Sequence, residues 1–183
     1  EAVAPELKIS ISIDTCKAEV AEKALDAGAS MINDVTGLRG DDKMAALASS
    51  RNVPVVIMHI KGKPKTMQKK PQYDDLIGEI SDYFEESIRI AEDAGLTRNK
   101  LILDPGIGFG KTYAHNFELI RNLGEFQKFS LPLLVGASRK RFLSIDNKYP
   151  ETERLEQSLV VACAAVENGA NFVRVHDVLS TKE

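Results

Sequence analysis

Residues 100–111 read KLILDPGIGFGK, and this stretch decides the fold class. A short apolar run at residues 101–103 stops at the carboxylate of Asp104, and a glycine-rich loop follows. Short apolar runs that are bounded by turn residues are typical of strands buried in a parallel sheet. The stretch therefore predicts a buried strand whose polar end opens into a loop.

The same arrangement recurs along the chain, and helical patterns separate its copies. The candidate strands are Ile9–Asp14, Ser30–Asp34, Val53–His59, Lys100–Asp104, Leu131–Ser138 and Phe172–His176. Apolar residues recur at helical spacing in Ala18–Ala27, Tyr73–Ala94 and Thr152–Asn168, and a glycine follows each stretch, as is common at helix ends. This alternation predicts an α/β protein with right-handed crossovers and a parallel sheet. No linker of low complexity interrupts the chain, so we expect one domain over residues 1–183.

Each candidate strand is apolar where it starts and polar where it ends. The polar residues at these ends are Asp14, Asn33, His59, Asp104, Ser138, Lys140, Arg174 and His176. In parallel α/β architectures ligands bind at the carboxyl ends of the strands, so we expect these side chains to meet on one rim. Because side chains alternate along a strand, Arg174 and His176 fall on the same face. The pattern predicts a site for a small ligand.

Composition narrows the function classes. The net charge is −3 and the sequence pI is about 5.7, so the chain as a whole favours neither nucleic acid nor an anionic membrane. The chain has no apolar run near the ~20 residues of a membrane span and opens with no secretory leader, which predicts a cytoplasmic protein. Cys16 and Cys163 lack CxxC spacing and are expected to be reduced; a disulfide or a metal pair is the alternative.

Two phosphate-binding motifs can be excluded at the glycine loop. Pro105 stands where a Walker A motif requires glycine, and the glycines follow the spacing GxGxG rather than GxGxxG. What remains is a loop that lets backbone approach a ligand, with Asp104 at its base. The alternative is a plain glycine-rich turn that leaves Lys111 in solvent.

Basic residues cluster at two places in this acidic chain. Ser138-Arg139-Lys140-Arg141 directly follows a candidate strand, which suits a phosphate or diphosphate ligand on the rim. The basic loop at residues 61–70 either overhangs the site and steers an anion or is merely solvated. A zinc site built on His59 and His176 is disfavoured, because the cations would repel a metal and no HxH or HExxH spacing appears. No metal ligands are therefore assigned.

From about Ile9 to Val178, the chain resembles the dihydropteroate synthase family. The matching motifs, in order, are Ile13-Asp14-Thr15, Ile32-Asn33-Asp34-Val35, Met58-His59, Lys63-Pro64-Lys65-Thr66-Met67, Asp104-Pro-Gly-Ile-Gly-Phe-Gly-Lys111, Ser138-Arg-Lys140 and Arg174-Val-His176-Asp-Val178. The resemblance implies a (β/α)8 TIM-type barrel, of which six βα units are present. It also implies a transferase of folate biosynthesis that joins 4-aminobenzoate to 6-hydroxymethyl-7,8-dihydropterin diphosphate.

The resemblance further implies roles for individual residues. Asp14, Asn33, Met58, Asp104 and Lys140 would hold the pterin, and Arg174 and His176 the diphosphate, with Lys140, Arg174 and His176 as the catalytic groups. The 4-aminobenzoate site, where sulfonamides compete, would be bordered by Phe109, Lys140 and Arg141. Mg2+ would bind with the diphosphate through family ligands outside this chain, and the enzyme would be a homodimer.

Compared with the family's barrel, we expect this chain to lack the first two strands and most of the last helix. We expect it to be unstable and slow alone, since a barrel of this kind typically needs about 250 residues. Two alternatives stay open, a methyltetrahydrofolate-binding methyltransferase domain and a partial barrel that binds pterin without turnover. The motifs at Ser138 and Arg174 favour the diphosphate-bearing substrate.

Overall fold

A computed structural model describes residues 6–62, 66–144 and 148–183. The chain divides into two compact units, residues 1–59 with 82–103 and residues 60–81 with 104–183. Each unit contains strands, helices and buried apolar side chains of its own. One domain over residues 1–183 stays a prediction.

The sheet of the first unit has the order β1-β2-β3-β4. Its strands are β1 (Ser12–Asp14), β2 (Met31–Asp34), β3 (Val55–Met58) and β4 (Leu101–Asp104). The β1–β2 and β2–β3 pairs are parallel, and Asp14 lies in register with Asn33. The two residues are therefore neighbours at the carboxyl ends of their strands. The last residue of β4, Asp104, begins the second unit.

Three helices accompany this sheet in sequence, α1 (Ala18–Asp26), α2 (Met44–Arg51) and α3 (Leu76–Asp93). Helix α3, which continues from the second unit into the first, buries one stripe of side chains at helical spacing. The stripe consists of Leu76, Ile80, Phe84, Ile88 and Ala91. Its regular period is what made α3 predictable. Helix α2 was not predicted, because its sequence MAALASSR is composed mainly of small residues without a distinct apolar stripe.

The second unit continues with α4 (Tyr113–Arg121), β5 (Leu134–Val135), α5 (Leu155–Glu167), β6 (Phe172–Val173) and α6 (Val178–Lys182). The two strands are parallel, with Leu134 opposite Phe172. Short 3-10 helices cover Leu123–Phe129, Arg141–Leu143 and Glu151–Glu153, and a further one, Arg98–Lys100, precedes β4 in the first unit. The segment after α4 buries Leu123 and Phe126 completely and anchors the unit.

The six predicted strands are all present, and the predicted α/β class with parallel strands is confirmed. Every strand is shorter than predicted. At β1, β3 and β5 apolar residues continue beyond the paired part, whereas β2 and β4 lose only the polar residues Ser30 and Lys100. In α5 the helical spacing predicts an apolar face of Leu155, Leu159, Ala162 and Val166. This face is partly wrong, since Val166 is 55% exposed while Val161 and Ala165 are buried. Helix α5 has apolar residues on two adjoining stripes, so the sequence pattern alone did not decide which stripe is buried. Among the described residues, no helix combines the length and the apolar character that a membrane span requires.

Candidate active site

The carboxylate of Asp104 is buried where β4 ends, with 1% of the residue exposed. One oxygen accepts a 2.8 Å hydrogen bond from the backbone N–H of Gly106, and the other accepts one of 2.8 Å from the Arg174 guanidinium. The first bond tightens the turn that opens the glycine loop. The second joins the end of β4 to the segment that follows β6, so two of the predicted site residues are in direct contact.

Side chains hold the loop that follows Asp104. Four successive carbonyls, those of residues 107–110, each accept a hydrogen bond from a side chain. The donors, in order along the loop, are Lys140, Gln68, Lys111 and Tyr73. The Lys111 ammonium nitrogen lies 3.0 Å from its acceptor, and the Tyr73 hydroxyl oxygen 2.8 Å. The loop is therefore rigidly held although glycines make up much of it.

Gly110 is required where it stands. Its φ of +66° is a left-handed conformation, and a Cβ added there would lie 2.3 Å from the backbone oxygen of Lys61. Backbone cannot swing away from such a contact as a flexible side chain can. The glycine loop and the chain after β3 are consequently packed backbone to backbone.

Substitution Gly110→Ala is expected to lower the free energy of unfolding by at least about 1–2 kcal/mol, the cost of a left-handed non-glycine residue, with the steric contact adding to it. Urea unfolding of the purified chain measures this. Gly124→Ala is the matched control, since no atom lies within 4 Å of the added Cβ, and it should leave stability unchanged or slightly higher. Equal losses in both variants would contradict the packing.

Two lysines carry charge into the interior beside Asp104. Burial lowers the pKa of Lys111 to about 7, with Asp104 opposing the shift and Lys140 adding to it. Burial likewise lowers the pKa of Lys140 to about 8, with Asp104 opposing and Arg174 adding. Both lysines are therefore neutral more often near pH 7 than an ordinary lysine.

A cavity of about 490 Å³ opens beside the loop, entirely within the second unit. Its cationic lining residues are Lys70, Lys111, Lys140 and Arg141, and its aromatic ones are Phe109, Tyr113 and Phe142. None of the described residues that line it is acidic. The Lys140 ammonium lies 4.6 Å from the centre of the Phe109 ring, a cation–π contact. The cavity suits a small aromatic anion.

The three consecutive cations after β5 have different surroundings. Arg139, with a φ of +57°, forms a two-pronged ion pair with Asp177. Lys140 donates to the glycine loop, and Arg141 faces the cavity. Only the last two therefore contribute to the site. Ser138, which precedes these cations, contacts another predicted site residue. Its Oγ accepts a hydrogen bond from the backbone N–H of His176 and lies 3.0 Å from Nδ1 of the His176 ring.

The residues of the basic loop after β3 also differ from one another in their surroundings. Lys61 pairs with Glu79 of α3, and Gln68 is bonded to the glycine loop, while Lys69 and Lys70 are exposed. The part of the matching motif formed by Lys63, Pro64 and Lys65 lies outside the described residues. The described part of the loop is thus not wholly solvated, because Lys61 and Gln68 each contact another segment.

The remaining predicted pterin contacts belong to the first unit. Asp14 is exposed, and Asn33 and Met58 are buried. Their sharing of one cavity with Asp104 and Lys140 stays a prediction. Within the first unit, Asp14, Asn33 and Met58 lie among the last two residues of their strands, as expected.

Asp34 has a structural role that the sequence patterns did not indicate, although it is part of the motif at residues 32–35. Its buried carboxylate accepts hydrogen bonds from the N–H and hydroxyl of Thr36 at 2.8 and 2.6 Å and from Leu38 N–H at 3.0 Å. Burial raises the pKa of Asp34, while these hydrogen bonds oppose the rise. Tyr83 completes the structure by donating to the carbonyl of Thr36 at 2.7 Å. Asp34 therefore fixes the loop that follows Asn33.

A protein-family model, full-length relatives and solved structures all match this chain. The family described as pterin binding enzyme matches residues 1–176. Dihydropteroate synthase of Escherichia coli K12 is 45% identical over 183 residues, which are 100% of this chain and 64% of the relative. That of Synechocystis is 44% identical over 180 residues, 97% of this chain and 62% of the relative. The chain thus spans about 64% of the length of the E. coli protein.

Solved structures agree. A Yersinia pestis dihydropteroate synthase solved with a sulfonamide drug superposes with a TM-score of 0.94 at 42% identity, over 99% of this chain and 66% of that one. A Xanthomonas albilineans dihydropteroate synthase solved with 4-aminobenzoic acid gives 0.91 at 36% identity, over 99% and 64%. The predicted α/β barrel class is confirmed by these similarities. Since the family match extends over nearly all of its length, the chain belongs to the pterin-binding enzyme family.

Proposed function

We propose that this chain carries active-site residues of a dihydropteroate synthase, a transferase of folate biosynthesis. The reaction joins 4-aminobenzoate to 6-hydroxymethyl-7,8-dihydropterin diphosphate and releases pyrophosphate. The observation that carries the proposal is the cationic cavity, which borders Phe109, Lys140 and Arg141 and has no carboxylate among its described lining residues. The Asp104–Arg174 pair supports it, because it joins the groups expected to bind the pterin and the diphosphate.

The pterin is held by groups that match its hydrogen-bonding edge. Its amino-pyrimidine edge presents adjacent N–H donors, which a carboxylate such as Asp104 can accept together. Lys140 donates to a ring oxygen or nitrogen. Asp14, Asn33 and Met58 join the proposal as further pterin contacts through the resemblance of their motifs.

Departure of the diphosphate is the step that needs charge stabilisation. The electrons of the C–O bond leave with the diphosphate, and the arylamine lone pair forms the new C–N bond at the pterin methylene carbon. The amine then gives up a proton. Arg174 and His176 stabilise the departing anion, and no protein nucleophile is needed. Arg174 exchanges part of its contact with Asp104 for the diphosphate, since both compete for one guanidinium.

The cavity takes 4-aminobenzoate. Its ring packs against Phe109, and its carboxylate faces Arg141, whose guanidinium has no carboxylate partner among the described residues. A planar guanidinium binds a carboxylate through two parallel hydrogen bonds. The 4-aminobenzoic acid and sulfonamide ligands of the two solved relatives support this assignment. Sulfonamides are accordingly proposed as competing inhibitors of this chain.

Mg2+, cytoplasmic location and a homodimer complete the proposal, on the strength of the family resemblance. The described residues do not fit a protein-built metal site, since they include no group of three or more His, Cys, Asp or Glu side chains able to hold an ion. We therefore assign no metal ligands in this chain and no step through Mg2+, which is proposed to bind with the diphosphate.

The test uses two proteins, the purified 183-residue chain and a chimera in which these residues replace the matching 183 of E. coli dihydropteroate synthase. Both are incubated with the pterin diphosphate, labelled 4-aminobenzoate and Mg2+. The chimera is expected to form dihydropteroate and to restore growth of an E. coli strain that lacks its own enzyme. A folded chimera without turnover would overturn the proposal, and pterin binding by that chimera would identify a binding protein.

A further inference from the structure

We propose that Lys111 is a positioning residue, which holds the Phe109 backbone and so sets the wall of the cavity for an aromatic carboxylate. The inference rests on the proposed function and deepens it. Lys111 is 3% exposed, and its ammonium donates to the carbonyl of Phe109 at 3.0 Å. The same side chain lines the cavity.

Phe109 needs such an anchor because glycines flank it. Gly108 and Gly110 have φ values of +82° and +66° and no side chains that could restrict the backbone. Its own ring is half-buried and is packed beneath the Lys140 ammonium. The hydrogen bond from Lys111 is therefore a direct restraint on the peptide that carries the ring.

A lysine is poorly suited to a purely structural role at this place. Burying an ammonium destabilises a fold, and apolar replacements of buried charged groups are often neutral or stabilising. The lowered pKa of Lys111, about 7, reflects that cost. A buried lysine that faces a cavity is thus better explained by what it does for the cavity than by what it does for the fold.

The charged and polar groups that face Lys111 come from several segments. Asp104 attracts its ammonium and Lys140 repels it, while Lys70, Asn116 and Arg141 line the same cavity. An ammonium with a pKa near 7 loses its charge as the pH rises through 7, whereas a benzoate stays ionised. Binding of the anion is therefore expected to weaken as the pH rises above neutrality, where both lysines lose charge.

The decisive variant is Lys111→Met, which keeps the length of the side chain and removes its charge and donor. In the purified E. coli chimera we expect Tm to stay unchanged or rise. The affinity for 4-aminobenzoate, measured by calorimetry with pyrophosphate present, should fall about tenfold. The loss of affinity above neutral pH should be smaller than in the parent protein, because one of the two titrating lysines is gone. Lys111→Arg, which keeps charge and donors, should restore part of the affinity.

Lys128→Met is the control, because that lysine contacts a phenylalanine, with its ammonium 5.2 Å from the centre of the Phe129 ring, but lies outside the cavity. It should change none of these properties. Fluorine NMR of the chimera labelled with 4-fluorophenylalanine follows Phe109 without any ligand, and its signal should move in Lys111→Met. An unmoved Phe109 signal, or a loss of stability with unchanged affinity, would overturn the role. If the chimera that keeps Lys111 fails to bind 4-aminobenzoate, the proposed function fails, and the fluorine signal alone decides the positioning role.

Discussion

Substitution Asp104→Asn is expected to lower kcat/KM for the pterin diphosphate by on the order of 1,000-fold or more, measured in the E. coli chimera. A site built around a hydrogen-bonding group rejects a ligand strongly when that group no longer matches. Asparagine presents an N–H2 donor towards the donor edge of the pterin and cannot pair with Arg174 as a charge. The pKa values of Lys111 and Lys140 would also fall further, because Asp104 is the group that raises them.

Asp177→Asn provides the control for loss of a carboxylate from an arginine pair. Asp177 pairs with Arg139, and neither residue lines the cavity. Its kcat/KM is expected to stay within a few-fold of the parent protein. Comparable losses in the two variants would show that Asp104 acts through the fold and not through the pterin.

Substitution Arg174→Ala is expected to change the affinities for two ligands differently, one with a diphosphate and one without. Affinity for the pterin diphosphate should fall about 100-fold, which corresponds to about 2.7 kcal/mol. Affinity for the same pterin without its diphosphate should stay equal or increase, because the carboxylate of Asp104 loses the partner that it holds at 2.8 Å. Calorimetry on the purified chimera with each ligand measures the difference.

Arg174→Lys tests whether the charge alone suffices. Lysine keeps the charge but lacks the fork of donors that can serve a carboxylate and a phosphate together, so it should recover only part of the diphosphate affinity. Equal losses for both ligands in Arg174→Ala would refute the anion role. They would instead assign Arg174 to the support of Asp104.

Much of the fold was predictable because the signals were local. The strand at β4 is a continuous apolar run that ends at Asp104, and α3 repeats its apolar residues at a constant helical period. Strand ends proved less predictable, since β1 begins at Ser12 and not at Ile9, which is 71% exposed. Whether an apolar residue is paired with a neighbouring strand depends on that neighbour, which a local pattern does not contain.

The candidate site was predictable in its residues but not in their contacts. Asp104, Lys140 and Arg174 could be named from strand ends and motifs. The ion pair of Asp104 with Arg174 joins residues 70 positions apart, and Gln68 reaches the glycine loop across 40 positions. Lys111 looked as if it could be a solvated lysine, and only packing reveals that it is buried. Such contacts arise from tertiary structure and leave no periodic trace in the sequence.

The lowered pKa values of the two cavity lysines also bear on chemical reactivity. An amine is a nucleophile only when it is neutral, and an ordinary lysine at pH 7 is neutral in fewer than about one in a thousand molecules. With a pKa of about 7, Lys111 is neutral in about half of them, and Lys140, at about 8, in roughly a tenth. An aromatic carboxylate that bears a mild electrophile would meet these amines where its own charge draws it. The cavity is therefore suited to selective covalent modification at neutral pH.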